Sequence, residues 1–123
     1  MRDYSSQYSS AMAYDEQLAG RIRELISARP GVVERKMFGG LGWMIGGNMA
    51  VGVMRETELV VRMEPEETEA ACREPHVHEF GRPGRKPMSG FVLVEPAGVE
   101  DDAALARWVD VGAARAASMP PKR

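Results

Sequence analysis

Leu41-Gly42-Trp43-Met44-Ile45-Gly46-Gly47-Asn48-Met49-Ala50-Val51-Gly52-Val53-Met54 is the stretch that decides the fold. Large side chains alternate at 41, 43 and 45, the period of a half-buried strand. Gly46-Gly47-Asn48 is a hairpin turn signal, because tight turns need positive φ and glycine supplies it without steric cost. The answering run predicts Met49, Val51 and Val53 on one face. Two strands and a turn follow, antiparallel by construction. The glycines at 39, 40, 42, 46, 47 and 52 are more than a strand tolerates without reason. They imply a bulge, strong local twist or close approach of another segment to the backbone.

Working outward, Arg55-Glu56-Thr57 turns into Glu58–Met63, where Leu59, Val61 and Met63 share a face. On the other side, Val32–Met37 reads as a short strand broken at Phe38-Gly39-Gly40. His76–Phe80 is extended in this reading, and Phe91–Val94 is the last strand. The sheet is thus a mainly antiparallel meander of about four to five strands. Three helices frame it. Leu18, Ala19, Ile22, Leu25 and Ile26 recur at helical spacing between Asp15, a natural cap, and Arg29-Pro30-Gly31, a stop. Glu66–Arg73 predicts a short helix behind Pro65. From Glu100-Asp101-Asp102 a final helix runs to about Ser118, with Leu105, Trp108, Val109, Gly112 and Ala116 turned inward. Its acidic start suits the positive end of the helix dipole. The fold class is α+β, with the last helix packed on the sheet.

Residues 1–12 hold four serines, a glutamine and two tyrosines but no aliphatic residue before Met12. Such a segment buries too little apolar surface to offset its ordering entropy, so it is read as a disordered leader or extension, with Met12 an alternative start. The domain is expected to occupy residues 13–121. Leu, Ile, Val and Phe make up 24 of 123 residues, all beyond the leader, and methionines beyond the leader pad the core. The net charge of −2 offers no global footprint for nucleic acid, so direct nucleic-acid binding ranks last among the partner classes. No apolar run approaches the ~20 residues of a membrane span. One cysteine, Cys72, cannot form an internal disulfide, and a reducing cytoplasm is the default compartment.

Chemistry is sparse. His76-x-His78, with Cys72 and Glu79 nearby, has metal-ligand character, since two residues apart on a strand point the same way. A zinc site needs a third or fourth ligand, and paired histidines on an exposed strand are more often ordinary surface residues. No metal and no cofactor are therefore assigned. Cys72 falls near the carboxyl end of a helix, where nothing activates a thiol, and free cysteines are usually buried. No phosphate-loop spacing and no nucleophile elbow is present, so no catalytic residue is assigned. Arg82, Arg85 and Lys86 form the basic cluster, on a Gly/Pro loop. It is a candidate contact loop, set against the bland reading of a solvated loop near Glu64, Glu66, Glu67 and Glu69. Met37, Phe38, Trp43, Met44, Met49 and Met54 crowd the sheet. Most are expected in the core, and any on the second face would mark a partner surface.

Met12–Ala19, Met37-Phe38-Gly39-Gly40-Leu41, Gly47-Asn48-Met49, Gly90–Val94 and Trp108 together resemble the TfoX (Sxy) N-terminal domain family. The Met-Phe-Gly-Gly turn is the most specific element. The resemblance implies a bacterial, non-enzymatic regulatory domain that acts through protein contacts, transcription machinery among them, and supplies no catalytic residues. Name-giving members regulate competence genes and carry a further carboxyl-terminal domain, so a stand-alone version is expected here. Self-association into a homodimer is the companion expectation, with the helix near Trp108 contributing. The alternative reading is a small-ligand- or metal-binding protein or enzyme using His76, His78 and Cys72.

Overall fold

A computed structural model describes residues 15–37, 39–54, 58–81 and 90–122. The chain runs α1 (Glu16–Ile26), β1 (Val32–Met37), β2 (Gly40–Ile45), β3 (Asn48–Met54), β4 (Glu58–Arg62), α2 (Thr68–Ala71), β5 (Val77–Glu79), β6 (Phe91–Val94) and α3 (Asp102–Ser118). A 3-10 turn at Pro65–Glu67 leads into α2, and another at Pro96–Val99 leads towards α3. The fold is α+β, as the sequence predicts. Six strands form one sheet in the order β1-β2-β3-β4-β6-β5, and every pairing is antiparallel. The sheet thus exceeds the expected four to five strands, because β5 adds outside β6 while β6 pairs with β4.

Both long helices start on an aspartate cap, Asp15 as expected and Asp101 within the acidic run that opens α3. Asp15 Oδ1 accepts from the Gln17 and Leu18 amides at 2.9 and 3.2 Å, and Asp101 Oδ2 accepts from the Ala104 amide at 3.2 Å. These bonds satisfy amides that have no partner inside the helix. Helix α3 lies across β3 and β4, and α1 packs on α3. The core between helices and sheet holds Leu18, Ile22 and Ile26 of α1, Leu105, Trp108 and Val109 of α3, and the aligned strand residues Trp43, Val51, Val61 and Val92. Leu25 departs from the expected helix face, at 38% exposed.

Gly112 explains how α3 comes so close. A Cβ there would stand 2.3 Å from the Ala50 carbonyl oxygen and 2.7 Å from Val51 Cγ1, so only glycine lets the helix backbone rest on β3. Beyond α3 the chain crosses the β2–β3 turn. Asn48, 1% exposed, donates from Nδ2 to the Pro120 carbonyl at 2.9 Å, and the Lys122 amide donates to Gly46 O at 2.7 Å. Arginines tie the layers at the surface: Arg21 meets Asp102 at 2.9 Å, Arg29 meets Asp110, and Arg107 meets Glu74 at 2.7 Å. Among the described residues, no helix is long and apolar enough to cross a membrane.

Candidate functional site

Register assigns each strand residue to a face. Trp43 pairs with Val51, Val51 with Val61, and Val61 with Val92, all on the helix side. Gly42, Gly52, Val60 and Leu93 follow one another on the second face. The β2–β3 pairing shifts after Trp43, so that Met44 faces Met49 and Ala50 is the extra residue. This bulge corrects the expectation that Met49 shares a face with Val51 and Val53. It turns Met49 to the second face, where its Cε lies over Gly52, 2.3 Å from where a Cβ would stand. Met37 likewise lays its sulfur over Gly42, 2.7 Å from that glycine's missing Cβ. Met37, Met44, Met49 and Met54 are half-buried rather than core, a second correction; Trp43 alone of the described residues in that crowd is fully buried. Beside them on the edge strand β1, Val33 is 52% exposed.

Trp43 also anchors a polar cluster. Its Nε1–H donates to Glu34 Oε1 at 3.0 Å, while Arg23 grips the same carboxylate through Nε at 2.8 Å and Nη2 at 2.9 Å. The Arg23 hydrogen bond, chiefly, holds the Glu34 carboxyl below its ordinary range; burial opposes, and the Arg23 charge and Trp43 bond reinforce. The bidentate geometry fixes α1 against β1.

The histidines do come together, though not as a simple strand pair. His76 stands just before β5 with φ of 69°, a left-handed conformation, and only Val77–Glu79 pair with β6. His78 Nε2 contacts Glu95 Oε2, and His76 Nδ1 lies 3.8 Å from Glu95 Oε1. Glu95, which sequence reasoning missed, is thus their shared partner; it is 17 residues beyond His78, and only the β5–β6 pairing brings it near. Among the described residues, no three His, Cys, Asp or Glu side chains are arranged to hold a metal ion. Cys72 caps the end of α2 and is half-buried at the core margin, not inside it. Burial, then the charge of Glu79, pushes its thiol up, which disfavours the thiolate. Trp108 is 3% exposed and stacked under Arg107, so its ring belongs to the core.

Arg82, Arg85, Lys86 and Phe38 lie outside the described residues, as does the 1–12 leader. Of the Met-Phe-Gly-Gly turn, Met37 ends β1, Gly39 takes φ of 79° and Gly40 opens β2. A cleft of about 300 Å³ lies between α1 and the Pro96 turn, lined by Asp15, Leu18, Arg21, Val99 and Glu100 among others. It gathers no nucleophile and no acid–base pair of matched environment.

The family model described as the TfoX N-terminal domain matches residues 24–116, most of the 123-residue chain. The chain belongs to the TfoX N-terminal domain family. The matched stretch contains the whole sheet and nearly all of α3, so every strand that carries the methionine face lies within the family's domain. Among curated proteins, none matches the chain. The TfoX N-terminal family is not known as a family of enzymes.

Proposed function

We propose that this TfoX N-terminal domain is a non-enzymatic regulatory module of the bacterial cytoplasm that works by binding a protein partner, with transcription machinery the partner class. One observation carries the reading: Met37, Met44, Met49 and Met54 are gathered, half-buried, on the sheet face away from the helices, next to exposed Val33. Methionine is flexible and polarisable, and clusters of it suit surfaces that adapt to a partner. The neighbouring β1 is an edge strand, whose outer backbone groups offer a peptide main-chain hydrogen bonds.

The test is binding of the purified protein to purified RNA-polymerase subunits and to a transcription activator that recruits them, by calorimetry. Met44→Glu and Val33→Asp place charge on the face without touching the core. Each is expected to weaken binding by about tenfold or more, in line with the loss of a central interface contact. Binding to neither partner, or binding unchanged in both variants, sinks the co-regulator reading. Self-association lost in the same variants would assign the face to a second copy of the chain.

A further inference from the structure

The two edges of the sheet are built differently. β5 is three residues long, whereas β1 runs for six, from Val32 to Met37. An open edge is a template for another strand, and proteins blunt it with a short strand, a proline, a bulge, a covering segment or charge. β1 is the longer edge, contains no proline and pairs with β2 in unbroken register through all six residues. Nor is it covered: Val33, Glu34, Arg35 and Lys36 are all exposed. Charge is the remaining guard, and the order of the charges decides what the edge admits.

We propose that β1 pairs with β1 of a second copy of this chain, antiparallel about a twofold axis at Arg35, so that two sheets join into one. Alternate residues of an edge strand turn their main-chain groups outward. Twofold pairing must set outward groups against outward groups, which requires the axis to fall at a residue rather than between two. The charged run offers three such centres. Glu34 as centre sets carboxylate against carboxylate and Val33 against Arg35. Lys36 as centre sets ammonium against ammonium and Arg35 against Met37. Arg35 as centre sets Glu34 opposite Lys36 twice and Val33 opposite Met37 twice, with Arg35 facing itself once. Opposite charges and apolar groups directly across strands attract, so this register is the self-complementary one. The two Arg35 stems are long enough to carry their heads apart into water. Glu34 lies opposite Trp43, on the helix side, so Lys36 shares that side while Val33 and Met37 take the second face. The ion pairs therefore form where Arg23 already holds Glu34, and the Val33–Met37 pairs join the methionine faces of the two copies. The pairing rests on the open β1 edge of the proposed function. It gives that edge to a second copy and leaves the methionine face, doubled in extent, to the partner.

Sedimentation equilibrium of the full chain over a concentration series tests the association, and is expected to reach twice the chain mass of 13.5 kDa. Lys36→Glu sets carboxylate against carboxylate at both ion pairs and is expected to weaken self-association by about tenfold or more. Met44→Glu, on β2, is expected to keep the dimer while weakening the partner, so the two readings fail separately. Register is read by Arg35→Cys in a Cys72→Ala background. Under mild oxidation it is expected to form a disulfide-linked dimer, because directly opposed residues approach closely enough to bridge. Val33→Cys, whose copies stand well apart in this register, is expected not to. A monomeric mass across the series, unchanged association in Lys36→Glu, or a dimer in which Arg35→Cys fails to cross-link would overturn the pairing. If Cys72→Ala costs the fold, Arg35→Cys is scored against the parent chain, with Cys72 present in both.

Discussion

His76 is the residue whose backbone the sequence least suggests. A left-handed conformation costs a non-glycine residue on the order of 1 kcal/mol, and its imidazole returns only a surface contact 3.8 Å from Glu95. His76→Gly is expected to stabilise the fold by about 0.5–1 kcal/mol in chemical denaturation, since glycine adopts φ of 69° freely. A loss of stability would show that the Glu95 contact outweighs the strain. Glu34 carries the pH dependence. Its folded carboxyl titrates lower than in the unfolded chain, so its contribution is complete above the ordinary glutamate range and is lost as pH falls through the lowered folded value. Glu34→Gln is expected to be less stable than wild type at neutral pH and to show a flatter acid limb when the denaturation midpoint is followed against pH. An acid limb of unchanged slope would count against the Arg23–Glu34–Trp43 cluster as its source.

Among the elements, α3 was legible to its face. The 3.6-residue period picked out Leu105, Trp108, Val109, Gly112 and Ala116, and all five are buried. What the period cannot show is why position 112 is glycine. On helix propensity alone Gly112→Ala should stabilise by about 1 kcal/mol. Contact with Ala50 O and Val51 Cγ1 reverses the sign, because the helix must lift from β3. The expected outcome is net destabilisation of about 1–2 kcal/mol with protection against hydrogen exchange lost first along β3. A stabilised variant would mean that α3 and β3 can separate at no cost. The hairpin was less legible. Alternation placed Met49 with Val51, whereas the bulge at Ala50 inverts the phase for everything nearer the turn. Glycines hinted at a bulge, but a strand of period two reads equally well with either phase, and only its partner's register fixes which residue is extra.

For the molecule as a whole, the thin aliphatic content proved sufficient because it is concentrated. Val and Leu from β3, β4 and β6 align in rows beneath α3, and α1 closes one end through Ile22 and Ile26. One continuous core shared by both helices and the sheet should unfold as one unit. Calorimetric and van't Hoff enthalpies are expected to agree, and the transitions seen by tryptophan fluorescence and far-ultraviolet circular dichroism are expected to coincide. A separate early loss of α1, monitored by its exchange protection, would contradict that. The methionine face and the Glu95 contacts of the two histidines are properties of this scale too. Their members come from β1, β2 and β3 in one case and from either side of the β5–β6 pairing in the other, so no local window contains either.

The sequence by itself determined the class, the helices, the Asp15 cap, five of the strand positions and the family motif, because each depends on periodicity or on turn chemistry within a few residues. Tertiary structure decided the rest: β6 between β4 and β5, the bulge that turns Met49 outward, and Glu95 between two histidines. These depend on pairings between segments far apart in the chain. The energy that selects them comes from burying whole faces against one another, and no residue's own preference records it.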